Sequence, residues 1–541
     1  MSYLFAPQSN ASRIYSRDHF LHGSSRWASR AYLKEKGKID EGRIFLGYAM
    51  AETKNGRALP ITTNTEKHLI TVAPTRSGKL VTSSAPRCMD HKGPLFVLDL
   101  KDGELALTTV IYRRDVLRHK VELIDPWDCA ASKLGIKPSR FNVLDLLDEA
   151  SEDFFENALI IAESTVTESA SKEPHWDEEA LVLIAGLAMY VKATPKIFYP
   201  TEKKSCDLPQ VRRLLNLPPE DFRALLEGKY EEDTDGNLKL VRPGMLQSAN
   251  EFVSASAGRI LNKEKKEFSG ILSTAHRNTH WLESPSIQDS LGTSDFSYSE
   301  LEQGETDIYI VLPAKRVHKF SRFLRLHTSI GLNAVMGFET KPKNPVYFMI
   351  EEAAILGRLG ILATAFGLMA GYGLQIHLIL QDLNQLVFLY GDQWQTFIAN
   401  SGVLQFFGTL DPMTREFISR LCGTTTLESL SEETAKIRAS FFADPNFLTR
   451  EDSISARPLI TPDEVTIMHP ATQILIFPHC YPVVCFKTAF FLDSRYRDKK
   501  GKPLFSIHPK HADKPLSLAM DFTKAGLDIG KILGGIFDGD A

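Results

Sequence analysis

The residues with the clearest chemical potential are Ala73, Pro74, Thr75, Arg76, Ser77, Gly78, Lys79 and Leu80, which follow the apolar-leaning run His68-Leu-Ile-Thr-Val72. A buried strand, a tight loop of small residues ending in Gly-Lys, and a helix form a cradle for phosphate. The loop's backbone N–H groups and the helix N-terminus point at the anion, and the lysine ammonium reaches its terminal oxygens. The full pattern asks for glycine at the first position and a hydroxyl after the lysine; Ala73 and Leu80 stand there instead. A Ser-Gly-Lys triplet alone arises by chance. A second stretch adds weight: Pro345-Val-Tyr-Phe-Met-Ile350 runs into Glu351 and Glu352, as a buried parallel strand would if it delivered acids to its C-terminal edge. In a phosphate-loop enzyme such a strand gives one carboxylate to the Mg²⁺ shell and a second to polarise water.

The elements that must position these residues are legible around them. Strands are predicted at 68–72, 93–98, 120–125, 307–312, 345–350, 374–380 and 402–408, with a closing hairpin over 473–478 and 483–491. Helices are predicted at 79–89, after Glu104 and at 315–336. That alternation predicts a mostly parallel sheet covered by helices. Between Asp153 and Glu300 the periodicity is helical, with helices at 154–164, 178–192, 208–215, 220–227 and 248–261 and a polar loop over 228–244. The expected division is an N-terminal arm (1–60), a discontinuous sheet domain (61–150 and 301–498), an all-α inserted domain (151–300), and a linker with a tail helix (499–541). Trp27 in the arm reads as a packing anchor rather than a stacking platform.

At 541 residues the chain is long enough for two or three domains and a sizeable core. Its 43% apolar and 24% charged fractions are those of a soluble globular protein. A net charge of −4 provides no global basic field for nucleic acid, so any such site is local. The richest basic stretch is 315–325, with five Lys or Arg residues in eleven and no acid. Arg316, Lys319 and Arg322 there are the nucleic-acid candidates, set against the plainer reading of a solvated helix making ion pairs. The six cysteines lack metal-type spacing and read as thiols in a reducing compartment. The longest apolar run, Ala180 to Val191, suits a core helix rather than a membrane span, and the N-terminus lacks a signal-peptide core.

Taken together, these blocks resemble the type IV secretion coupling proteins, the conjugative DNA-transfer ATPases of the TraG/TraD kind. His22-Gly-Ser-Ser-Arg-Trp-Ala28 resembles the family's N-terminal signature, Ala73 to Lys79 its phosphate loop, and Pro86 a proline of the following helix. Val97-Leu-Asp-Leu-Lys-Asp-Gly-Glu104 resembles its second-strand motif and Phe141-Asn-Val-Leu-Asp145 its Asn-Pro-Leu-Asp block. Glu351-Glu-Ala-Ala-Ile-Leu-Gly-Arg358 resembles its Asp-Glu-Phe-x-x-Leu-Gly block; Ala370 to Leu374, Leu380-Gln381 and Phe406 to Gly423 complete the order.

The resemblance implies an α/β fold: a RecA-like P-loop NTPase domain with an inserted all-α domain, assembling as a hexameric ring. It implies ATP and Mg²⁺ as cofactors. The implied partners are secretion-channel proteins, relaxase–DNA or effector protein substrates, single-stranded DNA, and a separate membrane anchor. The implied place is the bacterial cytoplasm beside the inner membrane. Lys79 would hold the β/γ-phosphates, Glu351 would take the metal-side acid's place, Glu352 would polarise water, and Gln381 would sense the γ-phosphate. Arg415 and Arg420, after Asp411-Pro412, are placed where a ring neighbour's nucleotide could be met.

The chain departs from the family at three points. Members usually carry two N-terminal membrane helices, and this chain starts about where those end. Leu80 has no hydroxyl for Mg²⁺, leaving Thr82 or Ser83 as substitutes. Glu351 replaces Asp and is longer by one methylene, about 1.5 Å. Two functions of different class follow: an ATP-hydrolysing translocation motor, or a degenerate P-loop protein acting as substrate receptor or scaffold. A chromosome-segregation translocase on the same core is disfavoured by the His22 and Arg358 blocks.

Overall fold

The computed structural model describes residues 23–49, 59–166, 175–194, 206–232, 238–429, 453–496 and 498. The strands along the first half of the chain are β1 (Ile44–Ala49), β2 (Leu59–Thr63), β3 (His68–Val72), β4 (Leu95–Asp99), β5 (Lys120–Ile124), β6 (Lys229–Glu232) and β7 (Leu238–Arg242). Then come β8 (Thr306–Val311), β9 (Val346–Glu351), β10 (Leu374–Leu380), β11 (Ser401–Phe406), β12 (Thr424–Ser429), β13 (Ser453–Pro458), β14 (Thr472–Ile476) and β15 (Val483–Phe486). The chain divides into two compact units, one built from Met1–His91 with His377–Ala541 and the other from Lys92–Ile376.

In the first unit the strand order is β2-β1-β15-β14-β11-β3-β10. β3 lies between parallel partners, Leu380 opposite Val72 on one side and Phe406 opposite Val72 on the other. All five residues of β3 are buried, which is why the run reads as apolar rather than alternating. The antiparallel β14–β15 hairpin closes this side as the spacing predicts. Beyond it lie two strands that the sequence reading does not place. β1 falls within the stretch read as an arm and β2 straddles its end; β1 pairs antiparallel with β15 and with β2. The motifs drew attention to the turns on either side of them. Trp27 is half-buried.

In the second unit the order is β9-β4-β8-β5, all parallel. Its floor is locked by a buried ion pair. Arg113 donates from Nε to Asp307 Oδ2 at 2.7 Å and from Nη2 to the carbonyl of Gly93 at 2.6 Å, and Leu95 N donates to Asp307 Oδ1 at 2.9 Å. Burial alone would raise the Asp307 pKa; the Arg113 charge and the His119 and Arg113 hydrogen bonds more than offset it and hold it low. Helices at Phe154–Thr165, His175–Ala193, Leu208–Leu215, Pro219–Glu227 and Glu251–Leu261 lie close to their expected positions. A further helix at Lys265–Thr279 was not anticipated, and the expected polar loop contains the β6–β7 hairpin. Its strands are mostly exposed, so they carry no apolar alternation to read.

The expected tail helix beyond residue 499, the His22 end of the N-terminal block and residues 233–237 of the expected polar loop lie outside the described residues. All six cysteines are free.

Candidate functional site: a phosphate loop and a carboxylate cluster

The loop in the first unit has the required shape. It leaves the C-terminal end of β3, and Ala73 N donates to the carbonyl of Leu380 at 2.8 Å, so the chain enters the loop beside the end of β10. Arg76 (φ 64°) and Gly78 (φ 85°) are left-handed, and Lys79 is already helical. A Cβ on Gly78 would meet nothing nearer than Val81 Cγ2 at 3.9 Å. The glycine is thus needed for backbone conformation rather than for space. The Lys79 side chain is 4% exposed. The Ser77 hydroxyl is buried with no hydrogen-bond partner among the described residues, an unfilled capacity of the kind an anion would satisfy. Gln381 emerges immediately after β10, and its N–H is capped by Gln385 Oε1 at 3.1 Å. The structure therefore brings residues 73–80 and Gln381 to adjacent strand ends.

The helix after the loop is not continuous. Leu80–Ser84 forms a wide π-type turn, and the α-helix proper is Ala85–Asp90. Pro86 explains the break: it has no N–H to donate to Thr82, and its ring crowds that carbonyl. Of the two hydroxyls that could replace the one missing at Leu80, Thr82 Oγ1 donates to the carbonyl of Gly78 at 3.0 Å and Ser83 Oγ donates to Gln405 Oε1 at 3.2 Å. Both are engaged in bracing the loop. Gln405 also accepts from Thr71 Oγ1 at 2.7 Å and Arg87 Nη2 at 3.1 Å. This buried polar network under the loop, which includes His377 on Thr71, has no sequence motif that announces it.

The second unit carries the carboxylates. Glu351 ends β9 and is buried, while Glu352 follows in the left-handed region at φ 52°. That conformation costs a non-glycine residue of order 1–3 kcal/mol and turns the chain sharply after the strand. Lys101 Nζ lies 3.6 Å from Glu351 Oε2 and 3.5 Å from Glu352 Oε1. Asp99, at the end of the adjacent β4, accepts from Ala106 N at 2.8 Å and Lys101 N at 3.2 Å. Burial, reinforced by the Glu351 charge and only partly offset by those N–H donors, pushes its carboxyl up to about 7. Gly103 (φ 79°) lets this turn pack, since a Cβ there would come within 2.7 Å of Ala130 Cβ. The resemblance singles out this motif as a block; the sequence does not reveal Asp99 as a buried, proton-holding neighbour of Glu351. Among the described residues no group of three or more His, Cys, Asp or Glu is arranged to enclose a metal ion. Mg²⁺ is ordinarily bound by one or two carboxylates together with substrate phosphates.

The basic segment is not the face expected of it. The helix begins at Ser321, so Arg316 and Lys319 precede it. Arg316 lies over the Trp127 ring at 4.9 Å, and Lys319 is exposed. Arg322 turns inward and donates to the carbonyl of Thr165 at 3.0 Å and to Asn278 Oδ1 at 2.8 Å. Arg325 is buried against the carbonyls of Arg358 and Leu356. The end of the Phe154–Thr165 helix has carbonyls without intrahelical donors, and these arginines reach them. Arg322 thus braces the interior through the Thr165 carbonyl and Asn278 Oδ1. Arg415 donates to Thr466 Oγ1 at 2.6 Å, while Arg420 is exposed.

The sequence of residues 26–512 matches the family model for type IV secretory system conjugative DNA transfer. The chain is 26% identical over 443 residues to a probable conjugal transfer protein TraG of Sinorhizobium fredii, covering 81% of this chain and 64% of that protein. It thus spans less than two thirds of that relative's length. In structure it is similar to the bacterial conjugative coupling protein TrwBdeltaN70 in an unbound form, with TM-score 0.62 and 16% identity over 89% of this chain and 96% of the other. The plasmid coupling protein TrwB in complex with ADP and Mg²⁺ gives TM-score 0.61 and 15% identity, covering 90% of this chain and 97% of that one. The fold is accordingly the α/β, RecA-like fold of those proteins. With its family model matched over most of its length, the chain belongs to the type IV secretory system conjugative DNA transfer family.

Proposed function

We propose that this chain is the ATP-driven coupling component of a type IV secretion or conjugative DNA-transfer apparatus. It would recruit nucleoprotein or protein substrates and pass them to the channel. The observation that carries the reading is the loop after β3, with left-handed Arg76 and Gly78, a buried Lys79 and an unsatisfied Ser77 hydroxyl. Such a loop fits a nucleotide's phosphates. The relative bound to ADP and Mg²⁺ has the same fold.

In this reading Lys79 neutralises the terminal phosphates and the N–H groups around Gly78 orient them. Glu351 and Asp99 supply the hard oxygen donors suited to Mg²⁺. Mg²⁺, when bound, would neutralise charge developing on the transferred phosphoryl group. Glu352 polarises the attacking water, and Gln381 senses the terminal phosphate. The sheet domain would comprise 61–150 and 301–498, with 151–300 as its helical insert and 1–60 and 499–541 as appendages. Homo-oligomeric ring assembly, contact with channel proteins and with relaxase–DNA or effector substrates, and attachment to the inner membrane through a separate anchor complete the proposal. Among the described residues no helix is long and apolar enough to cross a membrane.

Two observations favour a second reading, a non-hydrolysing receptor or scaffold: Lys101 is paired with both site carboxylates, and Leu80 offers no hydroxyl. The steady-state ATPase rate, measured with and without single-stranded DNA for the wild type and Glu352→Gln, decides between them. Hydrolysis that is lost in Glu352→Gln while nucleotide binding is spared supports the motor. No hydrolysis by the wild type, with binding intact, supports the scaffold.

A further inference from the structure

A second lysine belongs to the phosphate loop, and no motif identifies it. Lys487 follows β15 in the first unit, and its side chain is 5% exposed. Its ammonium donates to the carbonyl of Ser77 at 3.1 Å and sits 3.8 Å from the centre of the Phe407 ring. Phe407 N in turn donates to the carbonyl of Val72, the last residue of β3. The lysine, the ring and the loop therefore form one rigid assembly.

Two consequences follow from elementary chemistry. In a trans peptide the C=O and N–H point in opposite directions. Holding the Ser77 carbonyl on Lys487 thus aims the Gly78 N–H away from Lys487. It fixes the one peptide whose flanking glycine is left-handed. In addition, no carboxylate pairs with Lys487 among the described residues, and burying an ammonium without a counter-ion is costly. The charged or titratable groups facing it or sharing its loop are few. Cys485, two residues earlier, has a thiol pushed up to about 12 by burial and is neutral across the relevant range. Arg76 is exposed on the loop, and Lys79 is buried in it. Gln405 and Gln473 on the neighbouring strands are uncharged. Among the described residues no negative charge faces Lys487, and a polyphosphate would supply it.

We infer that Lys487 is a positioning residue for phosphate binding: through the Ser77 carbonyl it orients the loop, and its full charge is recovered when a nucleotide's phosphates arrive. This rests on the nucleotide reading above. Burial lowers the Lys487 pKa to about 7. An arriving anion favours the ammonium, so binding takes up a proton above that pH, and affinity falls as pH rises.

The test is calorimetric titration of the full chain with ADP and Mg²⁺ at pH 7.0 and 9.0, using wild type, Lys487→Arg, Lys487→Met and Lys79→Ala. Arginine stays charged throughout and serves as the internal reference for all other titrating groups. The wild type should lose on the order of tenfold more affinity than Lys487→Arg between the two pH values. Lys487→Met should bind about tenfold more weakly at pH 7.0 and show no such excess loss. Parallel pH profiles for wild type and Lys487→Arg would overturn the inference, and that comparison stands even if Lys487→Met fails to fold. Wild-type affinity in Lys487→Met would overturn it too. If the wild type and Lys79→Ala bind ADP equally or not at all, the nucleotide reading itself has failed, and this inference with it.

Discussion

Lys101 Nζ stands 3.5 Å from Glu352 Oε1 and 3.6 Å from Glu351 Oε2. A cation of the chain thus pairs with two acids that share a strand end. Burial alone would lower the Lys101 pKa; the charges of Glu351, Glu352 and Glu104 more than offset it and hold it raised. The arrangement lessens the repulsion between the two neighbouring carboxylates.

Lys101→Met should therefore lower stability in chelator by about 1 kcal/mol, discounted because the lysine is partly exposed. Mg²⁺ should restore much of that loss by taking over the neutralising role. Thermal melts of wild type and variant, each with EDTA and with Mg²⁺, check this. A deficit that Mg²⁺ leaves untouched would mean that the carboxylates hold no divalent cation.

Glu351 reaches further than the aspartate common in the family. Replacing it by aspartate should raise the ATPase rate or leave it unchanged, because the shorter acid matches the usual distance to the metal. A large drop in rate for Glu351→Asp, with folding preserved, would show that the surroundings are built for the longer side chain.

Arg322 and Lys319 should behave oppositely. Arg322→Gln removes donors from the carbonyl of Thr165 and from Asn278, leaving buried acceptors unmade at a cost of about 1–3 kcal/mol. Its effect belongs in chemical denaturation. Lys319→Gln and Lys315→Gln remove exposed charges and should leave stability unchanged. If this surface meets single-stranded DNA in an assembled ring, each should flatten the salt dependence of binding by about 0.7 in slope. A changed slope in Arg322→Gln at unchanged stability would contradict the assignment of that side chain to the interior.

The contrast shows how far the sequence could be read. The central strands were legible because β3, β4 and β9 are buried on both faces and so appear as largely apolar runs without alternation. The loop was legible because its shape demands particular residues, Gly78 above all. The bracing role of Arg322 was not legible because five basic residues in eleven look alike in one dimension; which of them meets a helix end is set by tertiary packing. The β6–β7 hairpin has exposed strands without clear alternation, whereas β1 is a fully buried apolar run that was passed over because it lies in the stretch read as an arm. Lys487 did leave a trace, as a lone cation within Val483-Val-Cys-Phe-Lys-Thr-Ala-Phe-Phe491. Its partner, a carbonyl some four hundred positions earlier in the chain, did not.

The central claim is that residues 73–80 hold a nucleotide's phosphates, and the most direct measurement is the affinity of the purified chain for ATP or a non-hydrolysable analogue with Mg²⁺, compared with Lys79→Ala. Lys79 is buried in the loop, and its loss should weaken binding roughly tenfold or more, because a charge-assisted contact to the terminal phosphates disappears. Equal affinity of the wild type and Lys79→Ala, with both folded, would contradict the assignment of the loop.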